Sequence, residues 1–169
     1  MHLILSSLLL FAQGEAAKRP APGDAAPAFS LPATTGKTVS LADFKGKKTV
    51  VLAFFPKAFT GGCTREMTAF STQHGEFTGA DAQVLGVSMD DLDTQTKFAE
   101  SLKAPFPMLA DPKGEAATAY GVIFETPQGA KLASRVTFII GKDGKVTKVF
   151  EGRDALDPAG ALGACKQTP

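Results

Sequence analysis

The chain has 169 residues, with 18 Lys and Arg against 17 Asp and Glu, a formal net charge of +1 and 44% apolar residues. That length is enough for one domain with a sizeable core, and the balanced charge excludes a nucleic-acid surface as the reason for this composition. With two cysteines and two histidines, no C-x-x-C pair and no Cys/His grouping at ligand spacing, the sequence offers no metal centre and calls for no cofactor.

At the N-terminus, Leu3 to Phe11 is an apolar run of signal-peptide length, too short to span a bilayer, and Ala12-Gln13-Gly14 supplies small residues after it. This predicts a signal peptide over 1–14 and export to the periplasm or the cell exterior. Only His2 and the α-amino group supply positive charge ahead of the run, so an uncleaved apolar tail is the alternative. Residues 15–22 read as a linker and 23–169 as the domain. Thr49 to Phe55 is a continuous apolar run between Lys47-Lys48 and Pro56, the pattern of a buried strand. A helix is predicted from Cys63 to about Phe77, with Met67, Phe70 and Phe77 on its apolar face, then a strand over Ala82 to Met89. Asp90, Asp91 and Asp93 provide capping and first-turn carboxylates for a helix to about Lys103. Phe106 to Leu109 is a short strand candidate and Glu115 to Tyr120 a short helix. Ser134 to Ile140 and Lys145 to Phe150 form a hairpin about Asp143-Gly144, and Asp157-Pro158 opens a last helix. Strands alternating with helices imply an α/β fold with parallel strands, to which the hairpin adds an antiparallel pair.

The junction after the first long strand carries the chemistry. The apolar run stops at Pro56, a loop with Gly61 and Gly62 follows, and Cys63 sits where a helix begins. A helix N-terminus favours the thiolate, which is the reactive form of cysteine. Two residues without Cβ let a small polar molecule approach the backbone. His74, the only histidine after the apolar run, lies in a polar stretch and reads as a solvated helix end rather than a base.

The pattern Pro56-x-x-x-Thr60-x-x-Cys63 resembles the active-site signature of the peroxiredoxins, the alkyl hydroperoxide reductase/thiol-specific antioxidant family. Gly23 to Pro32 is similar to the family's opening segment, Gly36 to Gly46 to its hairpin and short helix, and Arg135 to Ile140 with Gly141 to Lys145 to its arginine-bearing strand and hairpin. The resemblance implies a thioredoxin-like fold with the peroxiredoxin elaboration. It implies a thiol-dependent peroxidase that reduces hydrogen peroxide and alkyl hydroperoxides through a cysteine sulfenic acid on Cys63. The reductant would be a thioredoxin-like protein or a low-molecular-weight thiol, and a homodimer is one option for assembly. Arg135 would hold the charged sulfur, Thr60 would donate to the peroxide or cap the loop, and Pro56 would end the strand and shield the sulfur. Gly62 would support the site, and Glu66 would either orient the arginine or act as a plain first-turn carboxylate. Phe55 and Phe59 would wall the pocket or simply pack in the core. The alternative on the same fold, a thiol–disulfide oxidoreductase, would want C-x-x-C and a cis-proline where this chain has Val136. A copper-handling module would need a paired thiol and a histidine ligand, which are missing.

The cycle also needs a second thiol. In the bacterioferritin-comigratory subgroup it often lies five residues after the first, but that position here is Thr68. Ala58-Phe59-Thr60-Gly61 is similar to the one-cysteine, AhpE-like subgroup. Cys165 is left, as either a resolving cysteine on a small and polar tail or a bystander in the last helix. The expectation taken forward is a Cys63–Cys165 disulfide, because an exported enzyme lacks the cytosolic thiol pool.

Overall fold

A computed structural model of the chain describes residues 17–169. The signal peptide expected over 1–14 lies outside the described residues. The centre is a five-stranded sheet of order β5-β4-β3-β8-β9, built from β3 (Thr49–Phe54), β4 (Ala82–Ser88), β5 (Met108–Ala110), β8 (Val136–Ile140) and β9 (Val146–Glu151). β3, β4 and β5 run parallel, joined by α1 (Gly61–Thr72) with α2 (His74–Gly79) and by α3 (Leu92–Leu102). β8 pairs antiparallel with β9, as the hairpin pattern predicts, and also antiparallel with β3. All six residues of β3 are buried, which places its uninterrupted apolar run at the middle of the sheet.

Alternation along β3 divides the core into two layers. Val50, Leu52 and Phe54 join Phe29, Leu31, Tyr120 and Phe138 on one face. Val51, Ala53 and Phe55 join Met67, Phe70, Phe98, Leu162 and both cysteines on the other. The first face is covered by β1 (Ser30–Pro32), β2 (Thr38–Ser40), a 3-10 turn (Leu41–Phe44) and α4 (Glu115–Ala119). The second is covered by α1, α3 and the closing helix α6 (Pro158–Gln167), which follows the single turn α5 (Arg153–Leu156). At one end of the sheet Phe54 faces Val136, and at the other Val50 faces Ile140. The first of these ends carries the site.

Three elements depart from the sequence reading. The helix predicted to run to Phe77 breaks at Gln73, after the Ser71 and Thr72 hydroxyls bond back to the carbonyls of Met67 and Thr68, an interaction that competes with helix propagation. A hairpin of β6 (Ile123–Glu125) and β7 (Lys131–Ala133) has no sequence signature, because its strands are only three residues long and show no buried/exposed alternation. Residues 17–22, read as linker, lie along the domain. Pro20 is buried, Arg19 pairs with Glu151 at 2.7 Å, and Gly121, at φ 61°, passes under the backbone of Ala17 and Arg19. Among the described residues, no helix is long and apolar enough to cross a membrane.

Candidate active site

β3 ends at Phe54, and the chain turns at Pro56 into a loop that delivers Cys63 as the third residue of α1. Thr60 is the N-cap, extended at φ −86° and ψ 151°, and its carbonyl accepts the first helical bond from Thr64 N at 2.9 Å. The amides of Gly61, Gly62 and Cys63 make no backbone hydrogen bond among the described residues, so the helix presents free N–H groups beside the sulfur. The Thr60 hydroxyl donates to Lys57 O at 2.8 Å. It displays the loop-capping role, with the oxygen's lone pairs open to a peroxide proton. Cys63 itself is 1% exposed, whereas Gly61 and Gly62 above it are open to solvent.

The loop is fastened from β4. Asp90 Oδ2 accepts from Ala58 N at 2.8 Å and from the Ser88 hydroxyl at 2.7 Å. Asp91, not Asp90, caps α3, accepting Thr94 N at 2.8 Å. Sequence reasoning treated both carboxylates as helix caps and missed Asp90 as a loop anchor; two adjacent aspartates ahead of a helix do not reveal which one turns away. Phe59 takes a positive φ of 62°, rare for a residue with a Cβ, and lies 56% exposed with its ring 5.1 Å from Phe98. Phe55, read as pocket wall or core, is fully buried against Phe98 and belongs to the core.

Arg135 immediately precedes β8, and its carbonyl accepts Gly152 N at 3.1 Å. Nη2 donates to Cys63 Sγ at 3.4 Å and Nη1 donates to Glu66 Oε2. The structure thus brings Pro56, Thr60, Gly62, Cys63, Glu66 and Arg135 to one end of the sheet. Of the two readings of Glu66, it displays the arginine partner: the residue is 0% exposed and one helical turn past the cysteine. Burial pushes its carboxyl up to about 8, against the opposing pull of Arg135. A guanidinium and free helix amides around one sulfur match a negative charge there and an oxyanion leaving from it. His74, read as solvated, is half-buried with its ring 6.1 Å from Phe106, and does not join the site. Among the described residues, no three His, Cys, Asp or Glu side chains gather as a metal site.

Of its two readings, Cys165 takes the place in the last helix. It lies inside α6, is 2% exposed and packs in the second core layer. Burial pushes its thiol up to about 12. Three residues on, Thr168 meets Thr147 and the Gly141 end of β8, whereas Arg135 holds Cys63 at the other end. Those ends are separated by roughly 16 Å of strand. Both cysteines are free thiols.

Comparison with known proteins agrees with this geometry. The sequence model of the AhpC/TSA family matches residues 22–149. A putative peroxiredoxin of Mycobacterium tuberculosis is 40% identical over 128 residues, covering 74% of this chain and 81% of that protein. Peroxiredoxin Bcp of Escherichia coli is 36% identical over 132 residues, covering 76% and 84%. The crystal structure of peroxidoxin BcpB from Mycobacterium tuberculosis superposes with a TM-score of 0.82 at 32% identity, covering 88% of this chain and 98% of that one. In none of the described residues is there a cis peptide, and the place of the second cysteine of a C-x-x-C is filled by Glu66; the oxidoreductase alternative lacks both of its hallmarks.

Proposed function

The chain belongs to the AhpC/TSA family and is a thiol-dependent peroxidase of the peroxiredoxin type; from that premise we propose a one-cysteine cycle, in which Cys63 is oxidised by peroxide and restored by a thiol from outside the domain. The Cys63 thiolate attacks one peroxide oxygen, the O–O bond breaks, and the sulfur becomes a sulfenic acid. Arg135 and the first-turn amides of α1 attract the charge that moves from sulfur to the leaving oxygen. The family supplies the substrates, hydrogen peroxide and alkyl hydroperoxides, and a thiol as reductant.

The observation that carries the one-cysteine reading is that Cys165 sits inside α6 with its thiol pushed up to about 12 by burial, whereas Cys63 is held by Arg135. A thioredoxin-like protein or a small thiol meets Cys63 through the open Gly61-Gly62 edge instead. Export, expected from Leu3 to Phe11, would place that thiol outside the cytoplasm.

Intact mass after one equivalent of hydrogen peroxide tests the proposal. The one-cysteine cycle gives a single added oxygen atom, lost in Cys63→Ser. Loss of two hydrogens within one chain would show that Cys165 resolves and would sink it. Arg135→Met should slow the oxygen addition by about 100-fold, with Arg135→Lys in between, because it keeps the charge and loses the planar fork.

A further inference from the structure

One guanidinium serves two buried acids. Arg135 Nη2 reaches Cys63 Sγ at 3.4 Å while Nη1 holds Glu66 Oε2. Glu66 is 0% exposed, and its second oxygen, Oε1, meets no hydrogen-bond donor among the described residues. A single cation between two buried acids does not compensate two anions, so a thiolate and a carboxylate compete for it. The peroxidase reaction removes one competitor. The sulfur starts as a thiolate and finishes as a neutral sulfenic acid.

We propose that Glu66 is the proton store of this reaction, protonated while Cys63 is a thiolate and deprotonated once the sulfur is oxidised. The inference rests on the peroxidase reading above. The thiolate electron pair attacks the hydroxyl oxygen of the peroxide, forming the S–O bond. The O–O bond breaks and its pair leaves with the distal oxygen; sulfur is oxidised and the peroxide reduced. The proton of Glu66 ends on that oxygen, giving an alcohol or water. Arg135 then pairs with the Glu66 carboxylate alone, and no proton is drawn from solution.

The surroundings of Glu66 leave this balance to Arg135. Burial pushes its carboxyl up to about 8, and among the described residues Arg135 is the one charged group that opposes it. Beside it on α1, Arg65 is exposed, as are Asp93 and Lys97 on α3, Arg153 and Asp154 on α5, Lys166 on α6 and Glu76 on α2. His74 on α2 is half-buried and engaged with Thr78 and Phe106. Cys165 on α6 is a neutral thiol held up by burial.

Counting protons tests the store directly. The reduced full chain is mixed with one equivalent of hydrogen peroxide in weak buffer containing a pH indicator, and intact mass follows oxygen addition in parallel. Near neutral pH the wild type should gain its oxygen with no net proton uptake, and the count should climb toward one proton as pH passes about 8. With the Cys63 thiolate of both proteins verified by ultraviolet absorbance at each pH, Glu66→Gln should take up one proton per oxygen added throughout. A Glu66 that only orients Arg135 would slow the variant yet leave the two counts equal, and equal counts overturn the proposal. So does uptake of one proton by the wild type near neutrality. Should Glu66→Gln not fold, the wild-type series alone decides, since a count that does not change with pH refutes the store. Failure to add oxygen at all overturns the peroxidase reading, and is seen separately by mass.

Discussion

A Cβ placed on Gly62 would lie 3.0 Å from Nη2 of Arg135, so the guanidinium reaches Cys63 across a position that has no side chain. Arg135 has little room to yield, because its other nitrogen is tied to Glu66. Gly62→Ala should therefore displace the guanidinium from the sulfur and slow oxidation by about 10-fold, the effect of about 1.4 kcal/mol in the transition state. Alanine in a helix is favoured over glycine by up to about 1 kcal/mol, so thermal stability should hold or rise. Stopped-flow oxidation and a melting curve on the same sample check this. Unchanged oxidation would mean that Arg135 moves freely.

The sign of the pH dependence follows from Glu66. Its folded value of about 8 stands above the ordinary 4.5. As pH rises past about 4.5, the unfolded chain gives up this proton while the native one keeps it until about 8. The contribution of Glu66 to stability is therefore full below the lower value and is lost progressively up to the higher one. Glu66→Gln cannot ionise and escapes that loss. Its melting temperature should gain on the wild type across this window, and a difference that stays constant with pH would refute the assignment.

Residues that act through their neighbours in sequence were legible before the structure. Pro56, Thr60, Gly62 and Cys63 lie within one strand-to-helix junction, and the apolar run of β3 marks the middle of the sheet. Arg135, 72 positions from Cys63, entered only through the family resemblance, since no local pattern aims a side chain across the sheet end. For Glu66 the two readings were separated by burial, a property of packing rather than of spacing. For Cys165 the small and polar residues left a loose tail and a last helix both open. The N-cap Asp157 and buried Leu162 seat those residues as a helix.

Asp90 shows what packing adds. Its carboxylate gathers Ala58 N and the Ser88 hydroxyl, and so fixes the loop between Pro56 and Thr60. Asp90→Ala leaves the Ala58 amide without its acceptor, at a cost of roughly 1–3 kcal/mol, and loosens the approach to Cys63. Denaturant unfolding should show that loss, and the oxidation rate should fall with it. Asp90→Asn keeps an acceptor oxygen and should lie between. A stable Asp90→Ala with wild-type oxidation would remove Asp90 from the site.

Cys165 separates the two catalytic cycles. Its thiol is packed in the second core layer with Leu162 and is pushed up to about 12, so at neutral pH it is neither charged nor accessible. A buried thiol of this kind acts as a small apolar group. Cys165→Ala should cost about 1 kcal/mol of stability through the lost packing and leave oxygen addition at Cys63 intact. Turnover with an external thiol should match the wild type, and resistance to overoxidation by excess peroxide should be the same in both. If the Cys165→Ala protein instead accumulates sulfinic acid at Cys63 while the wild type does not, α6 must open during turnover, and Cys165 is the resolving thiol after all.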